Sequence, residues 1–536
     1  MRIDYNARCP HGCLGSLAPS EFAMRGRVTG PRRQRKSNCG LSTSGTKDRG
    51  VAAADTLSSR PNRAARRQGL TDLTAVAAVT AMRNGDLKAE DYARALLNRA
   101  QHLESLNAFR TLDKEMLLEA ARAADKVRAS GDAIGALHGL PIPVKDSVNS
   151  KALPTSNGTR ALRDFRPRDD AGVLKSLLAQ GGILMGKTNI HELSYGWTSN
   201  NEVFGPVHNP YDPTRVPGGS SGGSGAAVAA RMAPLAVAED TLGSIRVPAA
   251  MCGLAGLRPS FGRYPGDGIM PLTDAKFDQA GPLARSVGDL ALFDAAVTGD
   301  RAPLTATPLK GVRIGIAPAS LLSGLDPEVE RITTETFHRL RVAGVTWVEA
   351  ELPEVAQAAI GTAITIISYE AMPAIAAFLE AQGTGVTFDQ LLQQASEGIR
   401  DAFRTYSLPP NRPSQDAYEA ALVQRQRMRE EIQRHFELHG IVALAFPPIM
   451  IPAPQIGEEA EVTIRGQKVP LNVAMARNTS LASCASMASL ILPAGMTSNG
   501  LPVGLEFDAL MGNDRAVLAL GLSLENMLGP IPGPGP

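Results

Sequence analysis

The stretch "PGGSSGGSG" (Pro217–Gly225) stands between two apolar, periodic segments and runs straight into "AAVAARMAPLAVAEDTLGSIRVPAA". A flexible linker is also rich in glycine and serine, but linkers do not usually sit between segments of helix and strand period. The stretch therefore reads as a tight backbone feature inside a folded core, and its serines need a role. Around it, "ALHGLPIPVKDSV" reads as a strand, "DAGVLKSLLAQGG" as a helix, "ILMGKTN" as a strand, and "APLAVAED" as a strand after a helix. Such alternation predicts an α/β sheet covered by helices on both faces.

Order is expected to begin near Leu70, with Thr71 or Asp72 as the N-cap of a helix that stops at Asn84-Gly85. "KAEDYARALLNRAQHLESLNAF" and "DKEMLLEAARAADKVRASG" predict two more helices. From about residue 300 the pattern changes. "GVRIGIAP" and the end of "RLRVAGVTWVEAEL" read as strands, and residues 355–437 carry helical period, with breaks near Pro373, Gly383 and Pro409–Pro413. "GIVALAFPPIMIPAP" returns to strand, and the chain closes with a small-residue helix and a hairpin-like pair. The divisions are a basic leader (1–69), a core (70–310), a helical insertion (311–437) and a return to the core sheet (438–536).

Charge sets the leader apart. Residues 1–70 hold fourteen Arg and Lys against four Asp and Glu, a net +10, which leaves −8 on the remainder. The segment has no apolar core typical of a secretion signal, and it reads as a disordered leader or an upstream start rather than a nucleic-acid-binding arm. No run of about 18 apolar residues is present, so no membrane span is expected. The five cysteines (Cys9, Cys13, Cys39, Cys252, Cys484) are scattered and odd in number, which favours a reducing, cytoplasmic setting. Cys9, His11 and Cys13 make too weak a pattern for a metal site.

Several chemistries lack their residues. His191-Glu192 has no second histidine at zinc spacing, and the glycine run lacks the lysine of a phosphate loop. "GGSSGG" approaches G-x-S-x-G, but His338, His435 and His439 sit in helical segments without triad context. The nucleophile candidates are Ser220, Ser221, Ser224 and Ser244. Without histidine, the base would be a neutral lysine. Lys145 ends an apolar strand, where burial disfavours an ammonium. Pairing of Lys145 with Asp146 is an equally good reading of the residues alone.

Taken in order, "GLPIPVKDSV", "GKTNIHELSYG", "NPYDPTRVPGGSSGGSGAAVAA", "DTLGSIRVPAAMCGLAGLRPSFGR", "GPLARSVGDLALF" and "LPAGMTSNGLPVGLEF" resemble successive blocks of the amidase signature family. "GRYPGDGIMP" is most similar to its mandelamide and indoleacetamide hydrolase branch. The resemblance implies a large mixed sheet with a helical insertion, and a Ser–Ser–Lys triad. Lys145 matches the general base. Ser220 matches the bridging serine, which follows Gly219 through a cis peptide bond, and Ser244 matches the nucleophile. The resemblance further implies an oxyanion hole from the N–H groups of Thr241, Leu242, Gly243 and Ser244, with Asp240 and Arg246 bracing the loop.

The chain departs from the family's usual "TDTGGS" in two places. Leu242 stands for a glycine and would be strained if that position needed positive φ. Glu239 stands for a threonine and adds a charge beside the site. The implied activity is hydrolysis of a small, aryl-bearing amide to an acid and ammonia or an amine, without metal, cofactor, nucleic acid or membrane. The segment 310–437 and the loop Tyr195–Asn201 are expected to line the pocket. Rival readings are an ester, anilide or carbamate hydrolase, an amidotransferase subunit that works with a partner, and an inactive binding protein. A homodimer is left open.

Overall fold

The computed structural model describes residues 69–274 and 277–535, so the leader and its Cys9, His11 and Cys13 lie outside the described residues. Thirteen strands are formed among them: β1 (Phe109–Thr111), β2 (Pro141–Lys145), β3 (Ile183–Thr188), β4 (Leu235–Asp240), β5 (Ala255–Arg258), β6 (Gln279–Ala284), β7 (Arg313–Ile316), β8 (Thr346–Glu349), β9 (Ala443–Phe446), β10 (Glu461–Ile464), β11 (Gln467–Pro470), β12 (Ala488–Met496) and β13 (Pro502–Ala509). Eleven make one sheet in the order β1-β3-β2-β4-β6-β5-β12-β13-β9-β7-β8, and β10–β11 is a separate hairpin. β2 pairs parallel with β3 and β4, and β7 with β8 and β9; the pairs at the sheet's centre are antiparallel. The sheet is therefore mixed.

Side chains alternate between the two faces of a strand, yet every residue of β2, β3, β4, β6 and β13 is buried. Both faces are thus covered by helices and loops, as the alternation of strand and helix segments predicted. Proline is unfavourable in a central strand because it cannot donate to the ladder. β2 holds two, and it accommodates them with a register shift between Ile142 and Pro143 and a single paired position on β4, Val144 opposite Val237.

The structure revises several expectations. The first long helix, Ala75–Asn84, is capped by Thr74, whose side chain accepts the Ala77 N–H; Leu70–Asp72 forms a separate 3-10 turn. The segment 311–437 contributes β7 and β8 to the main sheet, and its wholly helical part starts at Glu354. Pro373 does not break its helix but lies inside Ala359–Ala381. The carbonyl of Tyr369, one turn back, loses its helical donor and instead accepts from Arg412 Nη2 and Nε at 2.7 and 3.1 Å. That 23-residue helix is also long and apolar enough to cross a membrane by length and composition, contrary to the sequence reading. Here it packs on the helices Gln415–His439 and Ser480–Ala485, with Ala363, Ile366 and Ile375 fully buried.

Candidate active site

The ends of β2 and β4 set Lys145 against both Ser220 and Glu239. Lys145 closes β2 and is fully buried. Its Nζ lies 2.7 Å from Ser220 Oγ, 2.7 Å from Glu239 Oε2 and 3.2 Å from the Glu239 carbonyl oxygen. The alternative pairing with Asp146 is not made: Asp146 faces Lys187 at 3.7 Å and accepts from Ser156. Lys145 is instead one half of a buried ion pair with Glu239, two strands' ends meeting through their side chains.

The glycines of the 217–225 run allow backbone to pack on backbone. A Cβ on Gly219 would lie 2.7 Å from Trp197 C and 2.8 Å from Ser199 N, and one on Gly223 only 2.3 Å from the Asn189 carbonyl. The Gly219–Ser220 peptide bond is cis. The Ser220 carbonyl accepts from His191 N–H and from the Ser199 hydroxyl, both at 3.1 Å, which ties the run to the loop after β3. The other two serines have structural duties. Ser221 Oγ donates to the Glu239 carbonyl at 3.0 Å, and Ser224 Oγ to that of Val237 at 3.0 Å, stitching the helix Gly222–Ala229 to β4. Ser221 thereby shares the Glu239 carbonyl with Lys145, and Ser224 Oγ also lies 2.7 Å from Thr188 Oγ1.

Ser244 lies in the loop between β4 and the helix Arg246–Met251, 5% exposed, and its hydroxyl makes no hydrogen bond among the described residues. Asp240 shapes this loop. Its carboxylate accepts the N–H groups of Gly243 (2.8 Å) and Ile245 (3.0 Å) and pairs with Arg246 at 3.0 Å and Arg258 at 2.9 Å. Burial alone would raise the Asp240 carboxyl, but the two guanidinium charges outweigh it and hold the group well below the usual range. Arg246 also reaches Glu506 at 3.0 Å and the Thr479 carbonyl at 2.6 Å, all within the interior, so the brace is not an exposed ion pair.

Two expectations for the loop change. Gly243 N–H is committed to Asp240 and is not free for an oxyanion, whereas the N–H groups of Thr241, Leu242 and Ser244 make no hydrogen bond among the described residues. Leu242 is also unstrained, because the positive φ falls on Gly243 (109°) rather than on the leucine. The Leu242 carbonyl accepts the Trp197 indole N–H at 2.9 Å. Its side chain joins an apolar cluster with Leu193, Met270, Phe277 and residues of the helix Ala359–Ala381. Tyr195 stacks on Phe403 at 4.5 Å and shares a 2.7 Å hydrogen bond with Ser407, so the 195–201 loop packs on the helical segment.

Sequence reasoning noted Glu239 as an added charge but did not identify it as the partner of Lys145, and it missed Asp278. The Thr241 hydroxyl lies 3.0 Å from Glu239 Oε1 and 2.6 Å from Asp278 Oδ1. Burial, and then the charge of Glu239, push the Asp278 carboxyl up to about 6. The available signal was an acidic residue set just before the apolar strand "QAGPLA". His191 is pushed down to about 4 by burial and by Lys145, so it stands neutral beside the lysine.

Comparison with known proteins agrees with this architecture. The Amidase family model matches residues 91–518. Indoleacetamide hydrolase of Allorhizobium ampelinum is 32% identical over 84% of this chain and 96% of that protein. Mandelamide hydrolase of Pseudomonas putida is 33% identical over 87% and 93%. A glutamyl-tRNA(Gln) amidotransferase subunit of Chloroflexus aggregans is 35% identical over 84% and 95%. A crystal structure of an amidase superposes with a TM-score of 0.77 at 31% identity, covering 85% of this chain and all of the other. The chain belongs to the Amidase family. Within it the protein is a hydrolase similar to the indoleacetamide and mandelamide enzymes.

Proposed function

We propose that this protein hydrolyses a small, aryl-bearing carboxamide to a carboxylic acid and ammonia or an amine, through a Ser244–Ser220–Lys145 triad and an acyl-enzyme. The observation that carries the reading is the buried 2.7 Å contact between Lys145 Nζ and Ser220 Oγ, beside a loop that offers Ser244 with an unengaged hydroxyl. In the reaction, neutral Lys145 accepts the Ser220 proton as Ser220 accepts that of Ser244. Ser244 Oγ bonds to the amide carbon, and the carbonyl oxygen becomes an oxyanion facing the N–H groups of Thr241, Leu242 and Ser244. The proton returns through Ser220 to the leaving nitrogen as the C–N bond breaks. Water then repeats the sequence and releases the acid.

The aryl preference is supported by the apolar cluster of Leu193, Leu242 and Phe277 with Trp197 against it, and by the indole group in the name of the Allorhizobium relative. The same triad would cleave an ester, anilide or carbamate, and the leaving group alone separates these. An amidotransferase subunit is the second reading, favoured by the likeness to the Chloroflexus protein; co-purification of a partner or of tRNA is its signature. Cys252 and Cys484 are buried free thiols, which suits a cytoplasmic setting.

The test is labelling with a fluorophosphonate and peptide mapping, alongside Ser244→Ala and Lys145→Ala. An adduct on Ser244 that the first variant loses and the second slows supports the triad. Intact, folded protein without an adduct overturns it.

A further inference from the structure

We propose that Glu239 is a positioning residue for the proton of Lys145: the two side chains share one proton, so a neutral amine can face Ser220 without a proton being released to water. The inference rests on the triad reading and deepens it.

An ammonium has three protons and no lone pair. Lys145 Nζ has three acceptors within reach: Ser220 Oγ, the Glu239 carbonyl and Glu239 Oε2. With all three protons so placed, Nζ cannot accept a proton from Ser220. Transfer of one proton across the 2.7 Å from Nζ to Oε2 turns the ammonium into an amine and the carboxylate into a carboxylic acid. The N–H bond breaks and an O–H bond forms; a turn of the amine about Cε–Nζ then swings the freed lone pair from Oε2 to Ser220 Oγ, where it can take the Ser220 proton. The pair's net charge stays at zero throughout. Both groups are sealed from solvent, where exchanging two buried charges for two neutral groups relieves a desolvation cost that offsets the lost attraction.

The far side of Glu239 is built to tolerate both forms. Oε1 lies 3.0 Å from the Thr241 hydroxyl, which has one proton and two carboxyl neighbours, Glu239 and Asp278. That proton can point to Glu239 when it is a carboxylate. It can turn to Asp278 when Glu239 is neutral. Asp278 is already seated by the N–H groups of Leu272 (3.1 Å) and Thr273 (3.0 Å).

The other charged groups around the pair are engaged elsewhere. Arg258, from β5, binds Asp240 and the Phe277 carbonyl; Asp240, next along β4, is held by Arg246 and Arg258; His191, from the loop after β3, is neutral. Glu239 is thus the carboxylate in contact with the lysine.

The experiment is the pH dependence, from pH 5.5 to 9.5, of the rate at which a fluorophosphonate labels Ser244 in the wild type, Glu239→Gln and Glu239→Thr. Sharing the proton within the pair makes the wild-type rate flat between pH 6 and 9. The variants must discharge the lysine to water, so they acquire an acid limb at least about one pH unit above that of the wild type, below which the rate falls about ten-fold per unit. Superimposable profiles for wild type and variants overturn the proposal. So does a wild-type acid limb with its midpoint between pH 6 and 9, an outcome readable even if neither variant folds. Absence of any Ser244 label in the wild type overturns the triad reading and this inference together, whereas labelling with a profile indifferent to Glu239 overturns this inference alone.

Discussion

Asp240 holds Arg246 by two hydrogen bonds of 3.0 Å while accepting the Gly243 N–H at 2.8 Å, so one carboxylate fixes both ends of the loop that carries Ser244. Removing it leaves two buried guanidinium groups, Arg246 and Arg258, short of their counter-charge. Asp240→Ala is expected to lose about 3–5 kcal/mol of stability, read by guanidinium denaturation. Because the folded carboxyl is held below its unfolded value, its contribution is complete above about pH 4 and is lost as pH falls from there. The deficit of the variant should therefore be level from pH 5 to 8 and shrink under acid.

Asp278 has the opposite sign. Its folded carboxyl is raised to about 6, above the unfolded value near 3.9, so the folded state binds that proton more tightly. Its contribution is most favourable below pH 4 and is lost as pH rises through 6. The stability of the wild type relative to Asp278→Asn should fall by on the order of 2 kcal/mol between pH 4 and pH 7, measured as paired denaturation midpoints. A constant difference would contradict the assignment.

Leu242 is part of the apolar packing rather than a source of strain. It is 3% exposed, has a negative φ and packs in the cluster with Leu193 and Phe277. Leu242→Gly should lower stability by about 2–4 kcal/mol through the cavity it opens. It should also raise kcat/KM for bulkier acyl groups relative to small ones. A panel of amides graded by acyl size checks the second point, and unchanged ranking would exclude Leu242 from the acyl pocket.

What the sequence disclosed divides along physical lines. Periodic and cap-bounded segments were legible: "KAEDYARALLNRAQH", "ILMGKT" and "LAVAED" have the elements their patterns predict. β5 and β6 were not. The first is four residues long, and the second, "QAGPLA", contains a glycine and a proline that argue against a strand. Pro373 read as a break because the guanidinium that satisfies Tyr369 comes from 43 residues away. The meeting of Lys145 and Ser220 was legible only through ordered motif resemblance, since 75 residues separate them. The pairing of Lys145 with Glu239 and the capture of Gly243 N–H by Asp240 depend on where β2 and β4 end relative to each other, which no local pattern encodes.

That Tyr369–Arg412 contact carries the last prediction. Arg412 donates twice to the carbonyl freed by Pro373 and lies over the Tyr369 ring, 4.1 Å from its centroid. This half-buried carbonyl, left without a donor, would cost about 1–3 kcal/mol, and the lost stacking adds to that. Arg412→Met keeps much of the side chain's apolar contact but removes both hydrogen bonds. It should lower stability by about 1–3 kcal/mol, whereas Pro373→Ala, which restores a helical N–H, should make the Arg412→Met change less costly. The double-mutant cycle measures this coupling. If the Arg412→Met cost is the same with proline and with alanine at 373, the guanidinium is not replacing the missing helical donor.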